Sequence, residues 1–457
     1  MSTAAIDLND TGIAIACDGA LLASSPGYAL LGREPVLVGE AAKRASRLEP
    51  LNAVNRFWHE LDEKPLAMLA AAGRSNADLA YLHLLQIRDL LRERADAVVC
   101  AVPAALGGRE LALILSMARE CGLPLIGFID AAVAAAAAWS GSGRFLYVDL
   151  HLHRSIITAV EAGEVLRRER VESAPRAGLA ALCDGWMRLI SRNFVRQTRF
   201  DPLHQAATEQ ELFDVLPAWL DQLIDDAAID AQMHFGAETF RVPLTREEVA
   251  LEAEHAYGEI LLCVHRLRRS GVATTLALSH AAGRLPGLRE RLAEFSDCEL
   301  VRCPPGAAAL AALAHGSLWT AAPDSATLLA AATRLDAAAA EPLIPAVLRP
   351  AAQAEPADAP SHVLYRGQAI PLNTTPLVVG LAPGGARRCL QVAGASAGIS
   401  RLHCSLLRTP QGALVIDHSR YGTWLNDEHV PGRAALRAGD RLRLGSPGVT
   451  LELIAIG

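Results

Sequence analysis

The chain has 457 residues and a net charge of −7, which argues against nucleic acid as a partner, because neutralising phosphates needs a basic surface. Hydrophobic residues make up 51% of it, enough for a sizeable core, and the length leaves room for about two to four domains. The nine cysteines are scattered and form no Cys-x-x-Cys pair, so neither a zinc ribbon nor a disulfide framework is predicted.

The N-terminal segment carries an early acid, Asp7, and no basic run, which is not typical of a signal peptide. The most apolar stretch, 121–139, contains Asp130 and is rich in alanine, too weak for a membrane span. Cysteines without a disulfide framework fit a reducing compartment. The sequence therefore predicts a cytoplasmic protein without a membrane span.

The first 320 residues alternate strand-like and helix-like patterns. In chain order they predict a hairpin, a helix, a strand, a second helix and two further strands, over 4–8 with 12–19, 79–95, 97–103, 109–121, 145–150 and 155–160. Strands and helices in this alternation are typical of an α/β domain with a covered sheet. A later segment, 240–248, predicts a strand followed by a helix that begins at Thr245, with Glu248 completing a capping box.

Three motifs lie along these elements. Residues 6–11 read Ile-Asp-Leu-Asn-Asp-Thr, 148–150 read Val-Asp-Leu, and 278–286 read Leu-Ser-His-Ala-Ala-Gly-Arg-Leu-Pro. Over residues 4–320 their order resembles the actin-like ATPase fold, in particular the nucleotide domain of the seventy-kilodalton heat-shock chaperones. The resemblance implies two lobes with ribonuclease-H-like halves. It implies that a nucleotide, if one binds, contacts Asp7, Asn9, Thr11, Asp130, Asp149, His151, His153 and Gly283.

The phosphate-binding loops depart from that family at their glycines. Such loops bring backbone N–H groups close to phosphate and ribose, which requires glycine where a side chain would collide. The family's glycine positions are occupied here by Asn9, His151, His153, His280 and Ala281. Asp10 would also repel a γ-phosphate. The chain is therefore predicted to hydrolyse no ATP and to need no cofactor.

The alternative of ATP and Mg²⁺ as cofactors stays open at this point. Asp7 and Asp149 are the two acids that organise Mg²⁺ in the family, and both are present. Asp130 takes the place of the family's glutamate near the metal. The pair His151-x-His153 has a spacing found in some metal sites, but no third ligand is fixed by the sequence, so no protein metal site is predicted.

An alanine- and proline-rich stretch, 321–360, is predicted to link the front domain, 1–320, to a C-terminal domain, 361–457. Its first part, 325–340, has helical character. From Pro342 onwards prolines recur every few residues and exclude a regular element, which predicts a semi-extended tether.

The C-terminal residues combine short alternating apolar runs with turn residues, which predicts a β-sandwich. Their motifs are Ser-Arg-Leu-His (400–403), Ser-Arg-Tyr-Gly-Thr-Trp-Leu-Asn (419–426), Gly-Asp (439–440) and Leu-Gly (444–445). This series resembles a forkhead-associated (FHA) domain, whose loops bind phosphothreonine peptides. The resemblance implies that His403 braces the loops. It implies a partner site formed by Ser400, Arg401, Arg420, Tyr421 and Asn426.

Two positions differ from the family's phosphate-reading set. Leu381 follows Gly380 where the family has arginine, and Tyr421 stands where it has asparagine. Ser400 matches a phosphate contact directly, and Arg420 carries a guanidinium that can bind phosphate through two hydrogen bonds. The module is therefore predicted to bind a protein partner, phosphorylated or not.

These features predict a non-catalytic scaffold or adaptor of a bacterial-type complex, in which a degenerate ATPase lobe and an FHA module both bind proteins. The alternative is an active actin-like or chaperone-like ATPase that its FHA domain regulates. A nucleotide-binding measurement separates the two.

Overall fold

The computed structural model describes residues 2–236, 238–269, 271–295, 297–315, 328–333, 360–373, 375–383, 388–392, 398–409, 412–430, 432–446 and 448–455. The chain divides into two compact units, Met1–Leu348 and Arg349–Gly457, here called the front unit and the C-terminal unit. Most of the predicted linker, 321–327 and 334–359, lies outside the described residues.

The front unit mixes strands and helices, as predicted. Its strands are β1 (Thr3–Asp7), β2 (Ile13–Cys17), β3 (Ala20–Ser25), β4 (Ala29–Leu30), β5 (Leu37–Val38), β6 (Ala53–Val54), β7 (Ala97–Val102), β8 (Leu125–Asp130), β9 (Gly143–Leu150), β10 (Ser155–Ala162), β11 (Val165–Ala174), β12 (Ala228–Phe235), β13 (Glu238–Thr245), β14 (Thr274–Leu278), β15 (Cys298–Arg302), β16 (Leu328–Leu329) and β17 (Ala331–Thr333).

Its helices are α1 (Glu40–Lys43), α2 (Asn76–Leu91), α3 (Gly108–Glu120), α4 (Ala131–Ala137), α5 (Leu179–Thr198), α6 (Ala206–Asp225), α7 (Arg246–Glu252), α8 (Glu254–Leu267), α9 (Leu288–Leu292) and α10 (Ala307–His315), with 3-10 turns at Leu69–Ala71 and Ala282–Arg284. None of the helices within the described ranges has the length and the apolar run needed to span a bilayer.

The two large sheets of the front unit are built alike. Their strand orders are β16-β8-β7-β1-β2-β3 and β15-β14-β9-β10-β11-β17. In each sheet a central strand, β1 or β9, pairs antiparallel with the next strand along the chain. On its other side it pairs parallel with a later strand, β7 or β14. The front unit therefore contains two halves that share one strand arrangement.

Local sequence explains where several elements lie. Every residue of β7 is buried, as expected for an apolar strand inside a parallel pairing. The predicted capping box at α7 is confirmed: Thr245 Oγ1 accepts from Glu248 N at 3.2 Å, and the Glu248 carboxylate accepts from Thr245 N at 3.0 Å. This box satisfies N–H groups that the first helical turn leaves without a partner.

The alanine-rich helix α4 belongs to the core, as predicted. Residues 131–136 are all buried, in a cluster that also holds α10 and side chains from both large sheets. Small side chains allow a helix to approach the neighbouring strands closely. The two halves therefore share one alanine-lined core.

Residues 328–333 fall inside the predicted linker but belong to the sheets of the front unit. Here β16 pairs parallel with β8, and β17 pairs antiparallel with β11. Between the two strands, Ala330 O accepts from Arg168 N at 2.8 Å. The helix predicted over 325–340 is therefore wrong at these residues. These residues form strands despite their helix propensity, because pairing with β8 and β11 satisfies backbone N–H and C=O groups at an edge of each sheet.

The C-terminal unit is rich in β-strands, as predicted. Its strands are β18 (His362–Tyr365), β19 (Gln368–Pro371), β20 (Leu377–Gly380), β21 (Cys389–Gln391), β22 (Cys404–Thr409), β23 (Gly412–Asp417), β24 (Thr423–Leu425), β25 (Glu428–His429), β26 (Arg433–Leu436), β27 (Arg441–Leu444) and β28 (Val449–Ile454). They form two sheets, β19-β18-β28-β27-β24-β25 and β21-β20-β22-β23-β26. Buried side chains from both sheets, among them Val379, Leu406, Leu442 and Leu451, form one cluster. This arrangement is consistent with an FHA sandwich.

Candidate functional site

A cavity of about 390 Å³ lies between the two halves of the front unit, and we call it the front cavity. Four of the eight residues predicted for a nucleotide line it, namely Asp7, Asn9, Thr11 and Asp149. The carboxyl end of β1 and that of β9 bring these side chains together from sequence positions about 140 residues apart. The structure places the other four, Asp130, His151, His153 and Gly283, outside the lining.

Side chains from the two predicted phosphate loops bind each other. The Asn9 amide donates to Asp149 Oδ1 at 2.8 Å. The His151 imidazole lies between two carboxylates, 3.0 Å from Asp149 Oδ2 and 3.3 Å from Asp10 Oδ1. Asn9, Asp10, Asp149 and His151 are all buried. Asn9 and His151, two of the residues at the family's glycine positions, thus form with Asp10 and Asp149 a polar network that joins the two loops, here called the loop network.

The turn that carries His151 is fixed by the start of α5. The N–H groups of Leu179 and Ala180 donate to the carbonyls of His151 and Leu152, each at 2.9 Å. A Cβ at Gly178 would lie 2.4 Å from the turn's backbone, so this close approach requires glycine. N–H groups at a helix start are a common anion site, and here the chain's own carbonyls occupy two of them.

The charges of the loop network are strongly coupled. Burial and the charge of Asp149 raise the pKa of Asp7 to about 7, although the charge of His151 opposes this rise. Burial alone would lower the pKa of His151, but the charge of Asp149 and hydrogen bonds to Asp10 and Asp149 raise it to about 10. Burial would raise the pKa of Asp10, yet its hydrogen bond to His151 and the charge of that ring lower it. At neutral pH His151 is therefore a buried cation between two carboxylates.

These residues do not fit a nucleoside triphosphate with Mg²⁺. The Asn9 amide and the His151 ring are already hydrogen-bonded, and Asp7 and Asp149 line the cavity, where their carboxylates would face the phosphates. Within the described ranges, no group of three or more His, Cys, Asp or Glu side chains is arranged to hold a metal ion. Phosphate binding needs free N–H groups or cations. In the two loops the Asn9 amide and the His151 ring instead bind carboxylates of the loops themselves.

Asp130 has a different role from the one predicted near a metal. Its Oδ1 caps α4 by accepting from Ala132 N at 2.9 Å, and its Oδ2 pairs with Arg168 at 2.8 Å. Burial raises the pKa of Asp130, while Arg168 and the helix N–H groups oppose that rise. This carboxylate is fully buried and serves the fold.

His153 and Gly283 also lie apart from the loop network. Arg56 donates to Nδ1 of His153 at 3.2 Å, so Nε2 carries the proton and donates to Asn55 O at 2.9 Å. His151 and His153 therefore bind different partners and do not share a metal geometry. Gly283 lies in a 3-10 turn, where its N–H donates to Ser279 O at 2.8 Å.

In the C-terminal unit, His403 joins two loops, as predicted. Ser400 N donates to its Nδ1 at 3.1 Å, so Nε2 carries the proton and donates to Gly422 O at 3.1 Å. Burial lowers the pKa of His403, and the Gly422 carbonyl only partly offsets this. A neutral, fully buried ring therefore holds loops 398–403 and 418–422 together.

Four of the five predicted partner-binding residues lie on these joined loops. Ser400 is half-buried, and its Oγ accepts from Arg420 N at 3.2 Å. Arg401 and Arg420 are exposed, and neither guanidinium has a partner among the described residues. Tyr421 is 61% exposed. We call Ser400, Arg401, Arg420 and Tyr421 the loop face.

Asn426 is different, because its amide is engaged within the unit. Its Nδ2 donates to Asp440 Oδ1 at 2.7 Å, and its Oδ1 accepts from Arg441 N at 2.9 Å. Asn426 therefore holds the Gly-Asp turn, and its side chain is not free for a partner. Leu381, at the family's arginine position, packs against the core, and its N–H donates to Ser400 O at 3.1 Å.

Two residues that support the loop face, Asp417 and Gly380, were not predicted from the sequence to have this role. Asp417 Oδ1 accepts from Ser419 N at 3.0 Å and from Thr423 Oγ1 at 2.7 Å. A Cβ at Gly380 would lie 2.0 Å from Arg401 O, so β20 approaches the first loop too closely for any other residue. An aspartate two residues before the Ser-Arg-Tyr-Gly-Thr motif is the sequence signal for the first of these.

Comparison with known proteins bears on the C-terminal unit. The family model described as FHA domain matches residues 385–445, which include both loops of the loop face and begin after Gly380 and Leu381. No curated protein matches the chain. The C-terminal unit therefore carries an FHA domain, a type of module that binds proteins, typically through phosphothreonine.

Proposed function

We propose that this protein is a non-catalytic adaptor that binds a protein partner through the loop face of its FHA domain. The observation that carries this proposal is the pair of exposed arginines, Arg401, which follows Ser400 in the chain, and Arg420, whose backbone N–H donates to Ser400 Oγ. Each lies on a loop that the buried His403 holds in place. Exposed cations that have no partner among the described residues are suited to bind an acidic or phosphorylated segment of another protein.

The partner's phosphate is proposed to matter less than in other FHA domains. Leu381 contributes an apolar contact where the family has a phosphate-binding arginine, and Tyr421 replaces an asparagine. Arg401 and Arg420 still supply positive charge. We therefore propose a partner segment with negative charge that is held by both arginines and by contact with Tyr421.

For the front unit we propose an actin-like fold that has lost its ATPase chemistry. Two features support the fold: the strand arrangement repeated in both halves and the cavity between them. The loop network supports the loss of chemistry, because Asn9 and His151 bind across the two predicted phosphate loops. In this proposal the front unit is a protein-binding scaffold.

The second candidate function is a nucleotide-binding ATPase. One observation favours it: Asp7 and Asp149 both line the front cavity. The loop network weighs against it, since a phosphate would have to displace hydrogen bonds that the network already makes.

Replacing Arg420 with alanine is expected to weaken binding of a partner segment by about tenfold or more, since hydrogen bonds to charged groups contribute about 1.5–3 kcal/mol. Arg401→Ala should act in the same direction and Ser400→Ala less strongly. The measurement is fluorescence anisotropy with one peptide series in three forms, carrying threonine, glutamate or phosphothreonine.

Arg441→Ala is the matched control, because it removes an exposed arginine of the same unit while its backbone N–H still binds Asn426. Affinities that are the same in wild type, Arg401→Ala and Arg420→Ala would contradict the proposed site. Strong binding of only the phosphothreonine peptide, lost in Arg420→Ala and in Ser400→Ala, would show that phosphate is the main determinant.

A further inference from the structure

One part of the front cavity, here called the floor, is lined by Asp7, Asp149 and Tyr147, and the rest has largely apolar walls. We propose that the front cavity binds a small ligand with a protonated amine and an apolar or aromatic body, an inference that rests on the proposed absence of ATP from this cavity. The amine contacts the floor at Asp7 and Tyr147. The apolar body lies along the walls.

The walls are suited to a ring or a short hydrocarbon chain. Tyr28, Leu152, Phe213, Leu220 and Leu285 all line the cavity. The Tyr28 and Phe213 rings are 6.4 Å apart between centroids and tilted by 54°. A volume of about 390 Å³ falls in the range of small-molecule sites.

Two polar groups at the floor have no hydrogen-bond partner in the part of the chain that the structure describes. Tyr147 lines the cavity, its side chain is 4% exposed, and its hydroxyl has no hydrogen-bond partner among the described residues. The Asp7 carboxylate also lines the cavity and, within the same described ranges, accepts no side-chain or backbone hydrogen bond. Buried polar groups such as the Tyr147 hydroxyl nearly always have partners, and Asp7, which is partly exposed, opens onto the same cavity. These two groups therefore form a donor and acceptor pair that a ligand can satisfy.

The charges at the floor select a cation. Asp7 and Asp149 both line the cavity, and His151, whose charge acts on Asp7, is held between Asp149 and Asp10. An ammonium group beside Asp7 would offset this negative charge, whereas a carboxylate or a phosphate would add to it.

The cations in the lining belong to other parts of the cavity. Arg284 is paired with Asp221, and Lys43 lies over the Phe213 ring, 5.8 Å from its centroid. Neither contacts Asp7 or Tyr147. The floor therefore differs in charge from the rest of the cavity.

The test is calorimetric titration of the full chain with three probes of similar shape: phenethylamine, 3-phenylpropanol and 3-phenylpropanoate. We expect phenethylamine to bind at least about tenfold more tightly than the carboxylate, as a charged contact commonly contributes that much. Asp7→Asn should remove most of the preference for the amine and leave binding of the alcohol unchanged. Tyr147→Phe should weaken amine binding by a smaller factor.

Asp96→Asn is the control, since Asp96 is a carboxylate that binds Ser2 at the surface of the front unit. Absence of amine binding, equal affinity for amine and carboxylate, or an unchanged amine affinity in both Asp7→Asn and Tyr147→Phe would overturn the inference. A parallel titration with Mg-ATP separates the two proposals. Tight ATP binding would contradict the proposed loss of ATPase chemistry, whereas a failure of amine selectivity alone would contradict only this inference.

Discussion

Replacing His151 with alanine is expected to lower the free energy of unfolding of the front unit by about 3–5 kcal/mol, because removing one partner of a buried ion pair leaves an uncompensated charge. Here Asp10 and Asp149 would both lose the imidazolium between them, at 3.3 and 3.0 Å. The measurement is urea unfolding of the full chain followed by tryptophan fluorescence. Amide hydrogen exchange over 143–162 would localise the effect.

His265→Ala is the control, because His265 is exposed on α8 and should change stability by less than about 0.5 kcal/mol.

Wild type and His151→Ala also test a pH dependence of stability. His151 has a pKa near 10 in the folded chain, above its ordinary value of 6.5, so its stabilisation is full below about pH 6.5 and is lost as pH rises through 10. Wild type should lose stability over that window more steeply than His151→Ala, and parallel pH profiles would contradict the loop network.

Replacing Gly178 with alanine is expected to destabilise the front unit by about 1–3 kcal/mol or more, as overpacking usually does. The added Cβ would lie 2.4 Å from the His153 backbone, and backbone cannot move aside as a flexible side chain can. The strain would separate the start of α5 from the turn that positions His151. Thermal unfolding of the full chain measures the effect.

Gly108→Ala provides a matched comparison at another helix start. Gly108 is the first residue of α3, and nothing lies within 4 Å of the position that its Cβ would take. This variant should be neutral or slightly stabilising, because alanine favours a helix over glycine. Equal effects of the two substitutions would show that the turn does not depend on the close approach at Gly178.

The sequence predicted those parts of the front unit that depend on local pattern. The hairpin of β1 and β2, the buried strand β7, the helix α4 and the capping box at Thr245 all follow from periodicity and turn chemistry. The pairing of 328–333 was not predictable in the same way. Its short apolar run has helical propensity, and only two distant sheet edges make it extended.

The sequence predicted which residues lie in the candidate sites better than it predicted what those residues do there. Replacement of the family's glycines predicted loops that do not bind phosphate, but it did not predict that Asn9 and Asp149 bind each other across 140 positions. Asp130 matched a motif position, yet its carboxylate caps α4. Predicting this role would have required knowing that β8 ends and α4 begins at this residue. In the FHA domain the prediction for His403 is confirmed, whereas Asn426 holds the neighbouring turn.

The most direct test of the account is calorimetric titration of the full chain with Mg-ATP, combined with phosphate release. Because the loop network occupies the groups that would bind phosphate, we expect no saturable heat up to millimolar ATP and no release above background. Micromolar binding, with turnover that Asp7→Ala abolishes, would contradict the account and identify the protein as an active ATPase.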